Sequence, residues 1–185
     1  MQYNSLLEIL KKTLQKNKAE KLASIGDETF YTIHDLIDLT FHHDDQIGFR
    51  AAWVLENVYS RYQERFLPDA EYFLNRFPQQ NNLSSRRHYS KILAQMTRKN
   101  ASLEIKIIIQ HYDTGILADT AFLWLIDPKV PVATKSHCLN VLANLNTKHS
   151  WIKEELTQTM DFLIDKESVG FYSKVRQIRK QLLNT

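Results

Sequence analysis

Glycine, proline and cysteine are scarce in this 185-residue sequence, which contains four glycines, four prolines and one cysteine. Proteins built from many short strands usually need glycine and proline in their tight turns, so this scarcity disfavours a sandwich or a barrel. The single cysteine, Cys138, has no partner for an internal disulfide, and its apolar neighbours in the sequence predict a buried core residue. The composition therefore favours helices held together without covalent cross-links.

The sequence also lacks long apolar runs and a strong charge of one sign. No run approaches the ~18 apolar residues that a membrane span requires, and the first residues do not form a secretion signal. The 24 basic and 21 acidic residues leave a formal charge of +3, which is mild for a nucleic-acid-binding domain. We therefore expect a cytoplasmic protein that forms one helical-repeat domain over residues 1–185.

What the sequence does contain is helical periodicity, which is strongest from residue 44 to residue 62. At 100° per residue, most apolar side chains of this segment fall on one broad side, and only a narrow polar strip remains. The apolar side contains Ile47, Ala51, Val54, Leu55, Val58 and Tyr62, and it is widened by Phe49, Ala52, Trp53 and Tyr59. A helix this apolar needs neighbours on two sides, so we expect it at the centre of the helices around it.

Capping residues and prolines predict where the other helices begin. The expected starts are Ser5, Thr32, Pro68, Ser84 or Ser85, Asn100, Ile116, Pro131, Ser150 and Ser168, and a short second helix is expected to end at Gly26. The isoleucine-rich segment after Asn100 would also suit a strand, but no second convincing strand exists to pair with it. We therefore predict about ten helices in adjacent pairs, with Trp53, Trp124 and Trp151 in the core.

The second helices of successive pairs begin near Asp44, Ser84, Pro131 and Ser168. This spacing is close to the ~40–47 residues of HEAT and armadillo units. Several of these helices open with an aspartate followed by an apolar residue and a basic one, as in Asp45 to Arg50, Asp127 to Lys135 and Asp165 to Lys174, which resembles the HEAT consensus. The resemblance implies an all-α, right-handed α-α superhelix of stacked antiparallel pairs, in which the aspartate and the basic side chain tie neighbouring repeats together.

The whole chain is also similar to a group of short bacterial helical-repeat proteins, some of which carry the name adenylosuccinate lyase. Adenylosuccinate lyases are much longer helical bundles, and they carry a Ser-Ser-x-Met-Pro-x-Lys-x-Asn loop. This sequence contains no such loop, so the resemblance does not extend to lyase chemistry.

The sequence offers little that resembles a catalytic or cofactor site. Phosphate loops, nucleophile elbows and dinucleotide fingerprints are missing. The run from His42 to Asp45 has metal-ligand residue types, but adjacent residues rarely converge on one ion, and an inter-helix turn with an aspartate N-cap is the favoured interpretation. Asp113-Thr114-Gly115 matches an aspartic protease signature only once, so it is interpreted as a turn. We predict no cofactor, no metal site and no enzyme activity.

Basic residues supply the one candidate site. Helical positions group them opposite the apolar sides of their helices, where stacked pairs would bring them onto one surface. This predicted basic strip consists of Arg50, Asn57, Arg61, Arg87, Lys91, Arg98, Arg176 and Lys180. Recognition of an acidic protein segment or another anionic macromolecule is one interpretation. The alternative is a solvated face that pairs internally with Glu56, Glu64 or Asp69.

The function that we favour from the sequence is non-catalytic. We expect a helical-repeat protein that binds another macromolecule, namely a protein, through the predicted basic strip. The alternative is a nucleic-acid-binding protein related to the HEAT-like alkylpurine DNA glycosylases, which hold DNA against a basic surface. No membrane partner is expected, and the sequence predicts no oligomeric state.

Overall fold

The computed structural model describes residues 2–25 and 30–184, and of residues 2–4 it describes the backbone only. The helices in this part of the chain are Gln2–Leu10 (α1), Lys16–Ala23 (α2), Ile33–Leu39 (α3), Asp45–Arg61 (α4), Gln63–Phe66 (α5), Ala70–Arg76 (α6), Leu83–Met96 (α7), Leu103–His111 (α8), Gly115–Ile126 (α9), Val132–Leu145 (α10), Ile152–Leu163 (α11) and Val169–Leu183 (α12). Short 3-10 turns, Leu67–Asp69 and Phe77–Gln79, flank α6. No strand occurs among the described residues.

The helices gather into two compact units, residues 1–92 and residues 93–185, with the boundary inside α7. We call them the first unit and the second unit. Each has its own set of packed helices and its own buried side chains. The single domain that the sequence predicts stays a prediction.

Helix α4 is the centre of the first unit, as its broad apolar side predicts. Helices α1, α2, α3 and α5 all pack against it. Its N-terminus is capped by Asp44, whose carboxylate accepts a hydrogen bond from the amide of Gln46 at 2.8 Å. Near that end Gly48 permits a close approach, because a Cβ atom there would lie 2.9 Å from the carbonyl oxygen of Thr40.

The core of the first unit is rich in aromatic rings. Tyr59, Phe66 and Phe73 form successive edge contacts, and Phe73 also packs on Tyr89, with ring centroids 4.8 Å apart. The Tyr89 hydroxyl lies 2.6 Å from the hydroxyl of Thr40, so this buried polar group is satisfied. Burial raises the pKa of Tyr89, which therefore stays neutral.

Helix α10 has the corresponding position in the second unit, where α9, α11 and α12 pack against it. Its buried side chains are mostly aliphatic and include Cys138, which is buried as predicted. The exception is Lys135, which is 1% exposed and forms an ion pair with Glu167 in the segment before α12. A buried lysine needs such a partner, because an unpaired charge in the core is strongly destabilising.

The predicted order of helices is confirmed, and the isoleucine-rich segment is helical as expected. Thr32 and Asp35 form the capping box that begins α3. Several other starts are wrong by a few residues. Ser5 lies inside α1, Ala70 rather than Pro68 begins α6, and Ser102 rather than Asn100 caps α8.

Further starts differ because the cap is chosen by local hydrogen bonds that a residue type alone does not specify. Asn82 caps α7, since its side-chain oxygen Oδ1 accepts hydrogen bonds from the backbone amides of Ser84 and Ser85. Ser150 does not cap α11, which has Trp151 at that position. The predicted end of a helix at Gly26 lies outside the described residues.

Candidate binding surface

Arg50 begins the predicted basic strip, and it is used within the first unit. Its guanidinium donates hydrogen bonds to the backbone carbonyls of Leu10 and Lys11, at 2.8 and 3.2 Å. These carbonyls lie at the C-terminal end of α1, where the last residues have no helical partner and carry partial negative charge. Arg50 therefore fixes α1 onto α4.

Two further strip residues also have internal partners in the first unit. Arg61 forms an ion pair with Glu20 of α2, with 2.7 Å between guanidinium and carboxylate. Asn57 donates to the carbonyl of Trp53, one turn earlier in α4. Both side chains therefore contribute to local packing, although about half of the Arg61 side chain remains exposed.

Lys91 takes part in a small buried network around Glu56. One carboxylate oxygen of Glu56 lies 2.6 Å from Nδ1 of His88, and the other accepts a hydrogen bond from Lys91. Burial raises the pKa of Glu56, but the hydrogen bonds from His88 and Lys91 outweigh it and lower the pKa to about 2. The sequence suggests internal pairing with Glu56 as an alternative to recognition of a partner, and Lys91 forms that internal pair.

Arg87 differs from these residues, because its side chain is exposed and forms no ion pair with a described residue. It lies one turn before Lys91 on α7 and therefore near the Glu56 network. Its charge is available to solvent.

In the second unit the remaining strip residues are exposed. Arg176 and Lys180 lie one turn apart on α12, and Arg176 packs over the ring of Tyr172, 5.0 Å from its centroid. Arg98 follows the end of α7. None of these three cations forms an ion pair with a side chain in residues 2–25 or 30–184.

Arg98 lies on a groove that the sequence did not predict. The groove has two lobes, with volumes of about 370 and 500 Å³. The lobes share Thr97, Asn144 and Thr147 in their linings and therefore adjoin each other at these residues. We call this feature the basic groove, since its two linings include Arg98, Lys99, Lys106 and Lys148 and no acidic side chain among the described residues.

The walls of the basic groove are fixed by hydrogen bonds. Lys148 donates to the carbonyls of Ile109, Gln110 and Tyr112 at 2.7 to 3.1 Å, and so caps the end of α8. Asn144 donates to the carbonyl of Ala94 and accepts from Gln181, which links α10 to α7 and α12. The sequence indicates only the wall that contains Arg98 and Lys99. These residues belong to the stretch from Tyr72 to Leu103, which contains six basic residues and no acid.

The second unit also exposes many large apolar side chains. Among the described residues these are Leu103, Ile107, Ile116, Leu123, Ile126, Trp151, Phe162, Val169, Tyr172 and Leu183.

The prediction that all three tryptophans lie in the core is wrong for Trp151, which is 45% exposed. Trp151 precedes α11 and packs against Phe122, with ring centroids 5.7 Å apart. Trp124 is buried as expected, and Trp53 is half-buried.

The run from His42 to Asp45 forms a turn, as predicted. The two histidine rings stack at 4.1 Å, the amide of Asp44 donates to His42, and Asp44 caps α4. Asp45 accepts from the side chain of Asn82 at 2.9 and 3.1 Å. Within the described part of the chain, no group of three His, Cys, Asp or Glu side chains could hold a metal ion. No helix in that part is long and apolar enough to cross a membrane.

A family model described as a HEAT repeat domain matches residues 6–184, which includes most of both units. No curated protein matches the chain.

Proposed function

We propose that this chain, which belongs to the HEAT repeat domain family, is a non-catalytic helical-repeat protein that binds an acidic segment of another protein. The regular secondary structure of the described residues is helical, without a strand, which confirms the predicted all-α, HEAT-like helical-repeat fold class. Helical-repeat proteins present extended surfaces to macromolecular partners, so binding is the activity expected of this architecture.

The observation that carries the proposal is the difference between paired and unpaired cations in the predicted basic strip. Arg50, Arg61 and Lys91 have internal partners. Arg87, Arg98, Arg176 and Lys180 are exposed and form no ion pair with a described residue. An exposed cation without a partner is available for a carboxylate on another molecule, and such cations favour acidic partners.

The proposal therefore assigns different roles to the strip residues. Arg50, Asn57, Arg61 and Lys91 hold the helices of the first unit. Arg87, Arg98, Arg176 and Lys180 contact the partner. The ionic contacts would be solvent-exposed, so each contributes modestly, and we expect affinity to fall as salt is raised.

The experiment compares two triple variants of the full chain. The test variant carries Arg98→Gln, Arg176→Gln and Lys180→Gln, and the control carries Lys12→Gln, Lys16→Gln and Lys18→Gln, which are exposed in the first unit. Both lose the same charge. We expect the test variant alone to lose binding to a glutamate-rich synthetic peptide, as measured by fluorescence anisotropy.

Duplex DNA serves as the competing ligand in the same assay. Tight DNA binding that falls steeply with salt would favour phosphate recognition over the proposed function. Equal peptide binding by the test variant and the unmodified chain would also overturn the proposal.

A further inference from the structure

We infer that the basic groove of the second unit is the docking site for the acidic segment, and that the segment it takes is amphipathic, with carboxylates flanking an apolar side chain. This inference rests on the proposed function and names the place and the chemistry of binding. It begins from the composition of the groove lining, which combines cations, amides and apolar side chains.

The charges around the groove determine which ligand it attracts. Lys148 has its ammonium group against three backbone carbonyls, so much of its charge is offset by the C-terminal end of α8. Arg98, Lys99 and Lys106 are exposed and have no ion-pair partner among the described side chains. These three cations lie on linings without an acid, so an anionic segment meets attraction and no opposing carboxylate.

The floor of the first lobe explains why the segment should also carry an apolar residue. Met96 and Leu145 are buried beneath it, and Ile109 is half-buried at its side. An apolar floor with a polar, charged rim is the usual anatomy of a protein–protein contact.

The second lobe supplies polar groups suited to a peptide backbone. Its lining includes the amides Asn144, Gln181 and Asn184 and the hydroxyls of Thr97 and Thr147. Asn144 is held in place by its bonds to Ala94 and Gln181, so this wall is organised before a ligand arrives. Both lobe volumes lie within the range of ordinary ligand sites, which suits a short segment rather than a globular surface.

The groove is favoured over the exposed cations of α12 as the primary contact. Arg176 and Lys180 lie on an exposed helix face and are absent from the linings of both lobes. A concave site desolvates more of a bound side chain than a convex helix face does, and it therefore binds more tightly for the same charge.

The test uses three variants of the full chain and one labelled probe, a short synthetic peptide with glutamates on either side of a Leu-Phe pair. The groove variant carries Arg98→Glu and Lys106→Glu. The matched control carries Arg176→Glu and Lys180→Glu, which makes the same charge change in the same unit. A third variant, Thr147→Trp, fills the junction of the lobes without changing the charge.

We expect the groove variant to bind the peptide roughly tenfold more weakly or worse, because like charges now face each other. We expect Thr147→Trp to show a similar loss, since Thr147 is exposed and its replacement occupies the groove. The α12 control should lose clearly less, about threefold, because Arg176 and Lys180 contact the partner only at an exposed helix face outside the groove. A second peptide with serines in place of Leu-Phe should bind the unmodified chain more weakly, as the apolar floor would then be unused.

The outcomes separate the inference from the proposed function. Loss of binding in the α12 control alone would overturn the groove as the site while leaving acidic-segment binding intact. Equal losses in both charge variants, with Thr147→Trp unaffected, would mean that net charge and not the groove governs affinity, and would overturn the inference. No peptide binding by the unmodified chain, or preference for duplex DNA over the peptide, would overturn both.

Far-ultraviolet circular dichroism and thermal unfolding of each variant serve as folding controls. The replaced side chains are all exposed, so we expect unchanged helicity and unfolding temperatures.

Discussion

The two units use their charged residues in different ways. The first unit contains twelve basic and twelve acidic residues, whereas the second contains twelve basic and nine acidic, so the entire formal charge of +3 belongs to the second. In the first unit, Arg50, Arg61 and Lys91 hold helices together. In the second, Arg98, Lys99 and Lys106 border a groove and have no described ion-pair partner.

The second unit also exposes more large apolar side chains than the first. Among the described residues, the large apolar side chains exposed in the second unit number ten, and the first unit exposes only Leu83. The first unit instead buries a cluster of five aromatic rings, formed by Tyr59, Phe66, Phe73, Phe77 and Tyr89. The comparison teaches that one repeat fold uses its side chains in two ways. The first unit buries most of its large apolar side chains and ties helices together with several cations, whereas the second unit leaves both kinds of group available for contact.

The largest effect on stability should come from the buried ion pair of the second unit. Glu167→Gln removes the partner of Lys135, which is 1% exposed, and leaves its charge uncompensated. We expect the free energy of unfolding to fall by about 3–5 kcal/mol. Urea denaturation followed by circular dichroism measures this change.

The matched control for that prediction is Lys135→Met, which keeps the shape of the side chain and removes its charge. Replacement of a buried charge by an apolar group of similar volume is often neutral, so we expect a much smaller loss. If Lys135→Met were as destabilising as Glu167→Gln, the ion pair itself, and not its desolvation, would hold the second unit together.

In the first unit, Glu56→Gln should cost about 2 kcal/mol at neutral pH, because the carboxylate accepts hydrogen bonds from His88 and Lys91. The pKa of Glu56 is lowered from 4.5 to about 2 in the folded chain. Its stabilising effect is therefore fully present above about pH 4.5 and is lost as the pH falls towards 2. Urea denaturation at a series of pH values should show the difference between unmodified chain and variant shrinking over that interval. A difference independent of pH would contradict this account.

A pair of glycine replacements compares backbone packing in the two units. Gly48→Ala would place a Cβ atom 2.9 Å from the carbonyl oxygen of Thr40, a backbone atom that cannot move aside freely, and we expect a loss of about 1–3 kcal/mol. Gly170→Ala in α12 meets only the Ser168 hydroxyl at 3.7 Å, and alanine is the better helix former. We expect that variant to be neutral or slightly more stable. Equal unfolding temperatures for the two would show that α4 and α3 are less tightly packed than described.

The smallest effect should come from the exposed apolar residues, which sharpen the contrast between units. Leu123→Ala removes a side chain that is 63% exposed, and we expect a change within about 0.5 kcal/mol. Leu125→Ala, two residues later and fully buried, should cost about 2–5 kcal/mol. Thermal denaturation of both variants checks this, and a large loss for Leu123→Ala would mean that its side chain is covered in solution.

Local patterns were enough to predict the helices, because periodicity and capping depend on residues a few positions apart. The apolar side of α4 and the capping box of Thr32 and Asp35 illustrate this. The partners of charged residues were not predictable in the same way. Arg50 contacts a carbonyl forty residues earlier in the chain, and Lys148 caps α8 from 36 to 39 residues away. Such contacts depend on how the helices stack against one another, and a helical-wheel projection of a single helix carries no information about that stacking.

The same limit explains why the sequence predicts only Arg98 among the residues that line the basic groove. Arg98 was predicted from its place on a basic helix, but the groove beside it also needs Lys106, Asn144 and Lys148 from other elements. Trp151 looked like a core residue because its neighbours are apolar, yet it precedes α11, where its side chain is partly exposed.

Hydrogen–deuterium exchange of the unmodified full chain, with and without the Glu-flanked Leu-Phe peptide, tests the central claim most directly, because it maps binding on both units at once. The account predicts slower exchange confined to residues 94–112, 143–148 and 176–184, which carry the groove and the neighbouring cations of α12, with no change in α2 to α4. Protection centred on the first unit, or no protection at saturating peptide, would contradict it.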